Sequence, residues 1–198
     1  MFARQGLRAP LEDIARQAGV GIATLYRRFP SRERLVAAAF IEKVSQYADA
    51  ASEARHNADP WDGFAGFVRR ISELQADDRG LSDLLSMTLP ASEEVERVRA
   101  RAHEHVAELI ERAKAAGRLR PDFAAEDLML MLIANASVAH VTRSDAPDAW
   151  RRLVALFLDA FQHPGEQLPA APSAAEMRLA AARLARDRGC GPAAALPE

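Results

Sequence analysis

Several residue types are scarce in this chain of 198 residues, and each scarcity excludes a class of protein. Cys190 is the single cysteine, so neither an intrachain disulfide nor a cysteine-based zinc site is possible. Aromatic residues make up 6%, and runs rich in valine, isoleucine and threonine are rare, which disfavours a β-sheet protein. No segment reaches the roughly 18 to 20 apolar residues that span a bilayer, and no apolar leader follows Met1. We therefore expect a cytoplasmic protein with no membrane partner.

Motifs that would indicate catalysis or cofactor binding are also missing from the sequence. There is no glycine-rich phosphate loop, no serine-centred nucleophile elbow and no His-Glu-x-x-His run. His103 and His105 are two residues apart, so on a helix they point to different faces and do not form a metal pair. We expect no catalytic residues, no metal site and no cofactor. An enzyme stays an alternative, although it leaves the charge distribution of the chain unexplained.

The charge is uneven along the chain. Residues 1–44 carry a net charge of +4, and since the whole chain has −2, the remainder carries −6. A basic N-terminal unit on an acidic body predicts that only the first part meets a polyanion such as DNA. A chance fluctuation of charge is the alternative explanation.

Abundant alanine, leucine and arginine favour an all-α fold. Apolar spacing, capping residues and helix breakers predict helices at about 10–18, 21–28, 32–55, 60–76, 78–87, 93–116, 125–142, 146–162 and 173–187. We expect three regions along the chain. They are a DNA-binding domain over residues 1–45, a helical-bundle domain for ligand binding and dimerisation over residues 46–163, and a Pro/Ala-rich tail over residues 164–198 that is partly disordered or forms one weak helix.

Residues 10–29 have the pattern of a helix-turn-helix, with two short helices and a tight turn that contains Gly19. Glycine permits the left-handed backbone that such a turn uses. We expect a small core that fixes the angle between the two helices, formed by Ile14, Val20, Leu25 and Phe29. The polar residues of helix 21–28 then face outward, where they can enter a DNA major groove. A helical hairpin with exposed arginines is the alternative.

The run Gly-Val-Gly-Ile-Ala-Thr-Leu-Tyr-Arg-Arg-Phe-Pro-Ser-Arg, from Gly19 to Arg32, resembles the N-terminal signature of the tetracycline-repressor (TetR) family. The resemblance covers about residues 2–45, and the rest of the chain is similar in length and helix order, most of all to the branch with an SbtR-type C-terminal domain. It implies a homodimeric repressor that binds double-stranded DNA at a palindromic operator and is released by a small-molecule effector. An activator is a variant of this interpretation, and a partner-binding or architectural protein is the alternative to it.

The resemblance also implies which residues contact the DNA backbone. Thr24 and Tyr26 match hydroxyl groups that bond phosphates, and Arg28 matches a backbone contact. Arg32 matches another, and it stands at the start of a helix, where amides and dipole favour a phosphate.

Three further positions, Ile22, Ala23 and Arg27, match residues that face the bases. Arg27 can fork onto a guanine edge, and Ile22 or Ala23 can touch a thymine methyl group. In one respect the chain departs from the family pattern, because only residues 1–6 match the last turn of a longer first helix. That helix packs under the other two in the family, so we expect this truncated first helix to weaken DNA binding.

Two helices late in the chain are candidates for a subunit interface. Helix 125–142 is apolar nearly all round, which indicates burial on most sides. Together with helix 146–162 and the same pair from a second chain, it would form a four-helix bundle with an isologous interface. The alternative is that helix 125–142 is simply the core of a monomer.

An effector pocket is expected among helices 60–76, 78–87, 93–116 and 125–142. Polar residues on inward faces, His103 and Asn135, point to it, because a buried polar group needs a partner that a ligand can supply. A water, each other or surface exposure are the alternatives for these two, and plain core packing is the alternative for the apolar candidates. The candidate lining residues are Phe64, Phe67, Leu84, Met87, His103, Val106, Met129 and Asn135.

Overall fold

The computed structural model describes residues 1–85, 93–162 and 166–187, and these residues form helices and loops without a strand. The helices are α1 (Phe2–Gln5), α2 (Leu11–Gln17), α3 (Ile22–Arg28), α4 (Arg32–Ala54), α5 (Pro60–Asp77), α6 (Arg79–Leu85), α7 (Glu93–Ala115), α8 (Ala125–Val141), α9 (Ala149–Gln162) and α10 (Ala174–Asp187), with a 3-10 turn at Gly6–Arg8. The all-α prediction and the predicted helices are confirmed to within a few residues. The predicted end of helix 78–87 lies beyond Leu85, outside the described residues.

Local signals in the sequence set several helix boundaries. Ser31 begins α4, and its hydroxyl accepts a hydrogen bond from the Arg34 N–H at 3.3 Å. The Asp59 carboxylate accepts two backbone N–H groups in the first turn of α5, at 2.8 and 3.0 Å. Gly117, just after α7, has a φ of 65°, which glycine adopts without strain. Because these signals lie next to the helix ends, the ends could be predicted from the sequence.

The main hydrophobic core joins α5, α7, α8 and α9. Phe123, in the loop before α8, packs edge-to-face on Phe64 of α5, with 5.6 Å between ring centroids. It packs in the same way on Phe161 of α9, at 4.8 Å. Such aromatic pairs add about 0.5 to 1.5 kcal/mol beyond the area they bury. They therefore fix α5 and α9 on the two sides of one loop.

A second cluster lies where the N-terminal head (α1 to α3) meets the body (α4 to α9). Its buried members are Leu7, Val36, Phe40, Val44 and Leu81, and Leu184 of α10 packs against it. Helix α4 extends from this cluster into the body, where the Arg55 guanidinium pairs with the Glu108 carboxylate of α7 at 3.1 Å. Helix α4 therefore contacts the head at one end and α7 of the body further along.

Helix α8 is buried on one face only. Leu130 and Val141 are 45% and 74% exposed on its other face, and Leu156 on the adjacent α9 is 57% exposed. The expectation that α8 is buried on most sides is therefore not met within a single chain. Among the described residues, no helix has both the length and the apolar character needed to cross a membrane.

Candidate DNA-binding surface and effector site

Helices α2 and α3 pack around a small core beneath a tight turn. Gly19 has a φ of 69°, and the Val20 N–H donates to the Ala15 carbonyl at 3.0 Å, which ends α2. Leu25 is buried, and Ile14 and Phe29 are half-buried against it, as the motif predicts. The full set of buried residues in this core is Leu11, Ala15, Leu25 and Leu35.

The prediction that Val20 belongs to this core is wrong, because Val20 is 39% exposed. The Val20 N–H closes the end of α2 by donating to the Ala15 carbonyl, while the Val20 side chain is exposed. Leu35 of α4 completes the core and links the motif to the next helix. The motif pattern did not include Leu35, since that residue comes from outside the two helices.

Helix α3 presents a continuous exposed surface. Leu25 is its only buried residue and anchors it to the core. Ile22 and Tyr26 are 36% and 48% exposed. The six α3 residues predicted to contact DNA are all exposed, and they are Ile22, Ala23, Thr24, Tyr26, Arg27 and Arg28. The exposed surface of the helix around Leu25 thus carries two hydroxyl groups, two guanidinium groups and two apolar side chains.

Arg32, the seventh predicted DNA contact, has partners inside the protein. Its Nη1 donates to the carbonyl oxygens of Leu7 and Ala9, both at 2.8 Å, and the side chain is half-buried. The guanidinium therefore ties the segment before α2 to the start of α4. A phosphate contact for Arg32 stays a prediction, beside this structural role that the sequence did not indicate.

The segment before α2 is also bound by a residue of the body. The Leu7 N–H donates to the Asp83 carboxylate of α6 at 2.9 Å, in a buried hydrogen bond. Gly6 precedes it with φ 69° and ψ −168°, a conformation that only glycine adopts readily. We call Gly6, Leu7, Arg32 and Asp83 the Leu7 junction. Because Arg32 belongs to α4 and Asp83 to α6, the junction joins the head to both helices.

The residues predicted to line an effector pocket differ in how far their side chains are buried. Phe64, Phe67, Val106 and Asn135 are buried, and Met129 is half-buried. These five come from α5, α7 and α8, which meet in the main core.

His103 does not lie on an inward face, so of the alternatives for this residue the structure favours surface exposure. The inward positions of α7 are Ala102, Val106 and Leu109, and His103 lies beside this stripe, exposed to solvent. The side chain of Leu84 and the whole of Met87 lie outside the part of the chain that the structure describes. Their role in a pocket stays a prediction.

Asn135 forms a polar contact deep in the apolar core. Its Nδ2 donates to Oε1 of Gln75 at 3.1 Å and to the backbone carbonyl of Ser72 at 3.3 Å. Gln75 and Asn135 are 1% and 0% exposed. Gln75 was not predicted from the sequence, although it continues the inward stripe that runs through Phe64 and Ile71 of α5. A polar residue at an apolar-periodic position was the available signal.

Two family models match the chain. Residues 1–39 match bacterial regulatory proteins of the tetR family, and residues 59–163 match the C-terminal domain of SbtR-like transcriptional regulators. The chain belongs to the TetR family. Both parts of the resemblance drawn from the sequence, the family and the SbtR-like branch, are thereby confirmed. The family and fold of this TetR protein are those of transcription regulators.

Solved structures of TetR regulators are similar to this one. The TetR transcriptional regulator SCO0520 from Streptomyces coelicolor is 30% identical, with 83% of this chain and 93% of that chain covered and a TM-score of 0.52. PfmR from Thermus thermophilus is 20% identical, covers 84% and 94%, and has a TM-score of 0.53. FadR from Bacillus subtilis, in complex with stearoyl-CoA, is 16% identical, covers 81% and 93%, and has a TM-score of 0.57. No curated protein sequence matches the chain.

Proposed function

We propose that this TetR regulator is a homodimeric repressor that binds a palindromic operator through α3 and is released by a small-molecule effector. The observation that carries the DNA-binding part is the exposed face of α3, anchored from below by Leu25. The wide major groove of B-DNA admits such a helix. Since chromosomal DNA lies in the cytoplasm of bacteria, we place the protein there. We assign it no catalytic activity.

Within this surface, two kinds of contact have different consequences. Thr24, Tyr26 and Arg28 offer a hydroxyl or a charge to phosphates, which supplies affinity without sequence information. Arg27 presents a guanidinium that matches the two acceptors on a guanine edge, and Ile22 and Ala23 present apolar surface for a thymine methyl group. Specificity should therefore depend on Ile22, Ala23 and Arg27.

Replacing Arg27 with alanine tests this division. A bidentate guanine contact contributes about 1 to 3 kcal/mol of discrimination, so Arg27→Ala should relax preference at one base pair of each half-site. Electrophoretic mobility shifts on the protein's own promoter region, at physiological salt and with every base substituted in turn, measure this. Arg101→Ala, an exposed arginine on α7, is the matched control and should change nothing. Uniform weakening on all sequences would make Arg27 a phosphate contact.

For the dimer, we propose that the outer faces of α8 and α9 pair with the same faces of a second chain. Leu130 and Val141 are eleven residues apart, which is close to three helical turns, so they lie on one side of α8. Leu156 exposes a large apolar side chain on the neighbouring helix. A twofold axis between such faces gives an isologous four-helix bundle.

A charge placed on this face should break the dimer. Leu156→Glu would bury an unpaired carboxylate in the proposed interface, so sedimentation equilibrium should show monomers. Leu179→Glu is the matched control, since Leu179 is 68% exposed on α10 and belongs to neither α8 nor α9. A wild-type chain that sediments as a monomer contradicts the proposal.

Release by an effector requires the ligand to favour one spacing of the two heads over the other. We propose that residues 1–45 form the DNA-binding domain and residues 46–163 the sensing and dimerising domain. A ligand among α5, α7 and α8 would act on the head through α4 and α6, which meet it at the Leu7 junction. An effector should weaken operator binding in mobility shifts, and a bound ligand that leaves affinity unchanged is not the inducer.

A further inference from the structure

We propose that the cleft between α5 and α9 binds a small organic anion, with a carboxylate or phosphate group on a compact apolar body. The cleft has a volume of about 460 Å³. Small-molecule sites usually measure roughly 300 to 1,000 Å³. The cleft is separate from the core among α5, α7 and α8, where the effector is proposed to bind. The inference therefore goes beyond the proposed function and does not rest on it.

Arginines from both helices line this cleft. Arg69 and Arg70 come from α5 and Arg151 from α9, and Glu73 is the acidic residue among those that line it. Three guanidinium groups against one carboxylate give the lining a net charge of +2, whereas the chain after the basic N-terminal unit carries −6. Asp148, outside the lining, offsets one of these charges by pairing with Arg151 at 3.1 Å. A positive cleft on an acidic body favours an anion.

The three guanidinium groups share too few partners. Arg70 pairs with one oxygen of Glu73 at 3.0 Å, and Arg151 approaches the other at 3.7 Å. Within the described ranges, Arg69 forms no ion pair or hydrogen bond, although it lies one helical turn before Glu73. A ligand carboxylate or phosphate would supply the missing partner, because the planar guanidinium matches either group with two parallel hydrogen bonds.

Arg151 is oriented by the protein itself. Its guanidinium lies over the Trp150 ring, 4.4 Å from the ring centroid, and its Nε donates to the Asp148 carboxylate. A cation over an aromatic face is held electrostatically. A side chain that is already ordered loses less conformational freedom when a ligand binds, which favours affinity.

Apolar side chains of α9 complete the lining. Trp150 and Val154 are buried and Ala155 is exposed, and all three border the cleft. The cleft is much larger than an inorganic anion, so a ligand that fills it needs an apolar part against this wall. Leu156 of the proposed dimer face lies about 100° around α9 from Ala155, so the cleft and that face are on different sides of the helix.

The test uses the full chain without DNA and three probes with a benzene ring each, namely phenyl phosphate, benzoate and the uncharged benzamide. Isothermal titration calorimetry at physiological salt should give the better of the two anions a dissociation constant about tenfold lower than that of benzamide. The better anion identifies the anionic group. Arg69→Gln/Arg151→Gln should abolish the preference. Arg97→Gln/Arg101→Gln, which removes two exposed charges from α7, is the matched control and should keep it.

A further variant gives a readout of opposite sign. Glu73→Gln removes the carboxylate that competes for Arg70 and Arg151, so the anion should bind about threefold more tightly. Inorganic phosphate should bind more weakly than phenyl phosphate, since it leaves the apolar wall in water.

Four results would overturn the inference. They are a wild type that binds neither anion better than benzamide, an Arg69→Gln/Arg151→Gln variant that keeps the preference, a Glu73→Gln variant that binds the anion more weakly, and inorganic phosphate that binds as tightly as phenyl phosphate. None of these results bears on operator binding, because no DNA is present.

Discussion

Replacing Gly6 with alanine should damage the connection between head and body more than the same change at the other described glycines with a positive φ. Gly6 has φ 69° and ψ −168°, and a methyl group there would overlap the Asp83 carboxylate and press on Arg79. The backbone strain costs about 1 to 3 kcal/mol. Displacing Asp83 from the buried Leu7 N–H costs about 1 to 3 kcal/mol more. We therefore expect a loss of about 2 to 6 kcal/mol in the free energy of unfolding, measured in urea.

Gly117→Ala is the matched control, since Gly117 has a φ of 65° and no atom within 4 Å of the added methyl group. It should lose only about 1 to 2 kcal/mol, the cost of the left-handed backbone. In an Asp83→Ala background the Gly6→Ala penalty should shrink, because the carboxylate no longer stands in the way. Equal losses for Gly6→Ala and Gly117→Ala would refute the reasoning that Asp83 closes the Leu7 junction.

Two further predictions concern other long-range contacts. Arg32→Ala removes the bonds to the Leu7 and Ala9 carbonyls, so urea unfolding should show a loss of about 1 to 3 kcal/mol; unchanged stability with weaker DNA binding would instead make Arg32 a phosphate contact. Hydrogen bonds from Arg120 and from the Leu168 N–H lower the pKa of Asp122 from 3.8 to about 2. The ionised Asp122 carboxylate therefore stabilises the folded protein above its ordinary pKa, and this stabilisation is lost as the pH falls towards 2. Acid should destabilise the wild type more than Asp122→Asn over that range. Parallel acid unfolding of the two proteins would count against the prediction.

Features that depend on neighbouring residues were predictable from the sequence. Ser31 and Asp59 are residue types that cap helices, and they begin α4 and α5. The helix-turn-helix was predictable for the same reason, because its glycine turn and its apolar spacing lie close together along the chain. The exposed face of α3 followed once Leu25 was assigned to the core.

Features that depend on distant residues were not predictable. Leu7 and Asp83 are 76 positions apart, and no local pattern relates them. Val20 was assigned to the core beneath the turn and His103 was considered for an inward face of α7, yet both side chains are exposed in the structure. Gln75 had a signal, but a polar residue on an apolar stripe indicates a buried contact without naming the partner.

Selection of bound sequences from a random DNA pool tests the central claim most directly. If two α3 helices of a homodimer read the DNA, the wild type should enrich one inverted repeat, with half-sites about one helical turn, roughly 34 to 36 Å, apart. Arg27→Ala should enrich the same repeat with one position in each half-site relaxed. A pool that stays random after repeated rounds would contradict the account, because it would leave DNA binding to phosphate contacts alone.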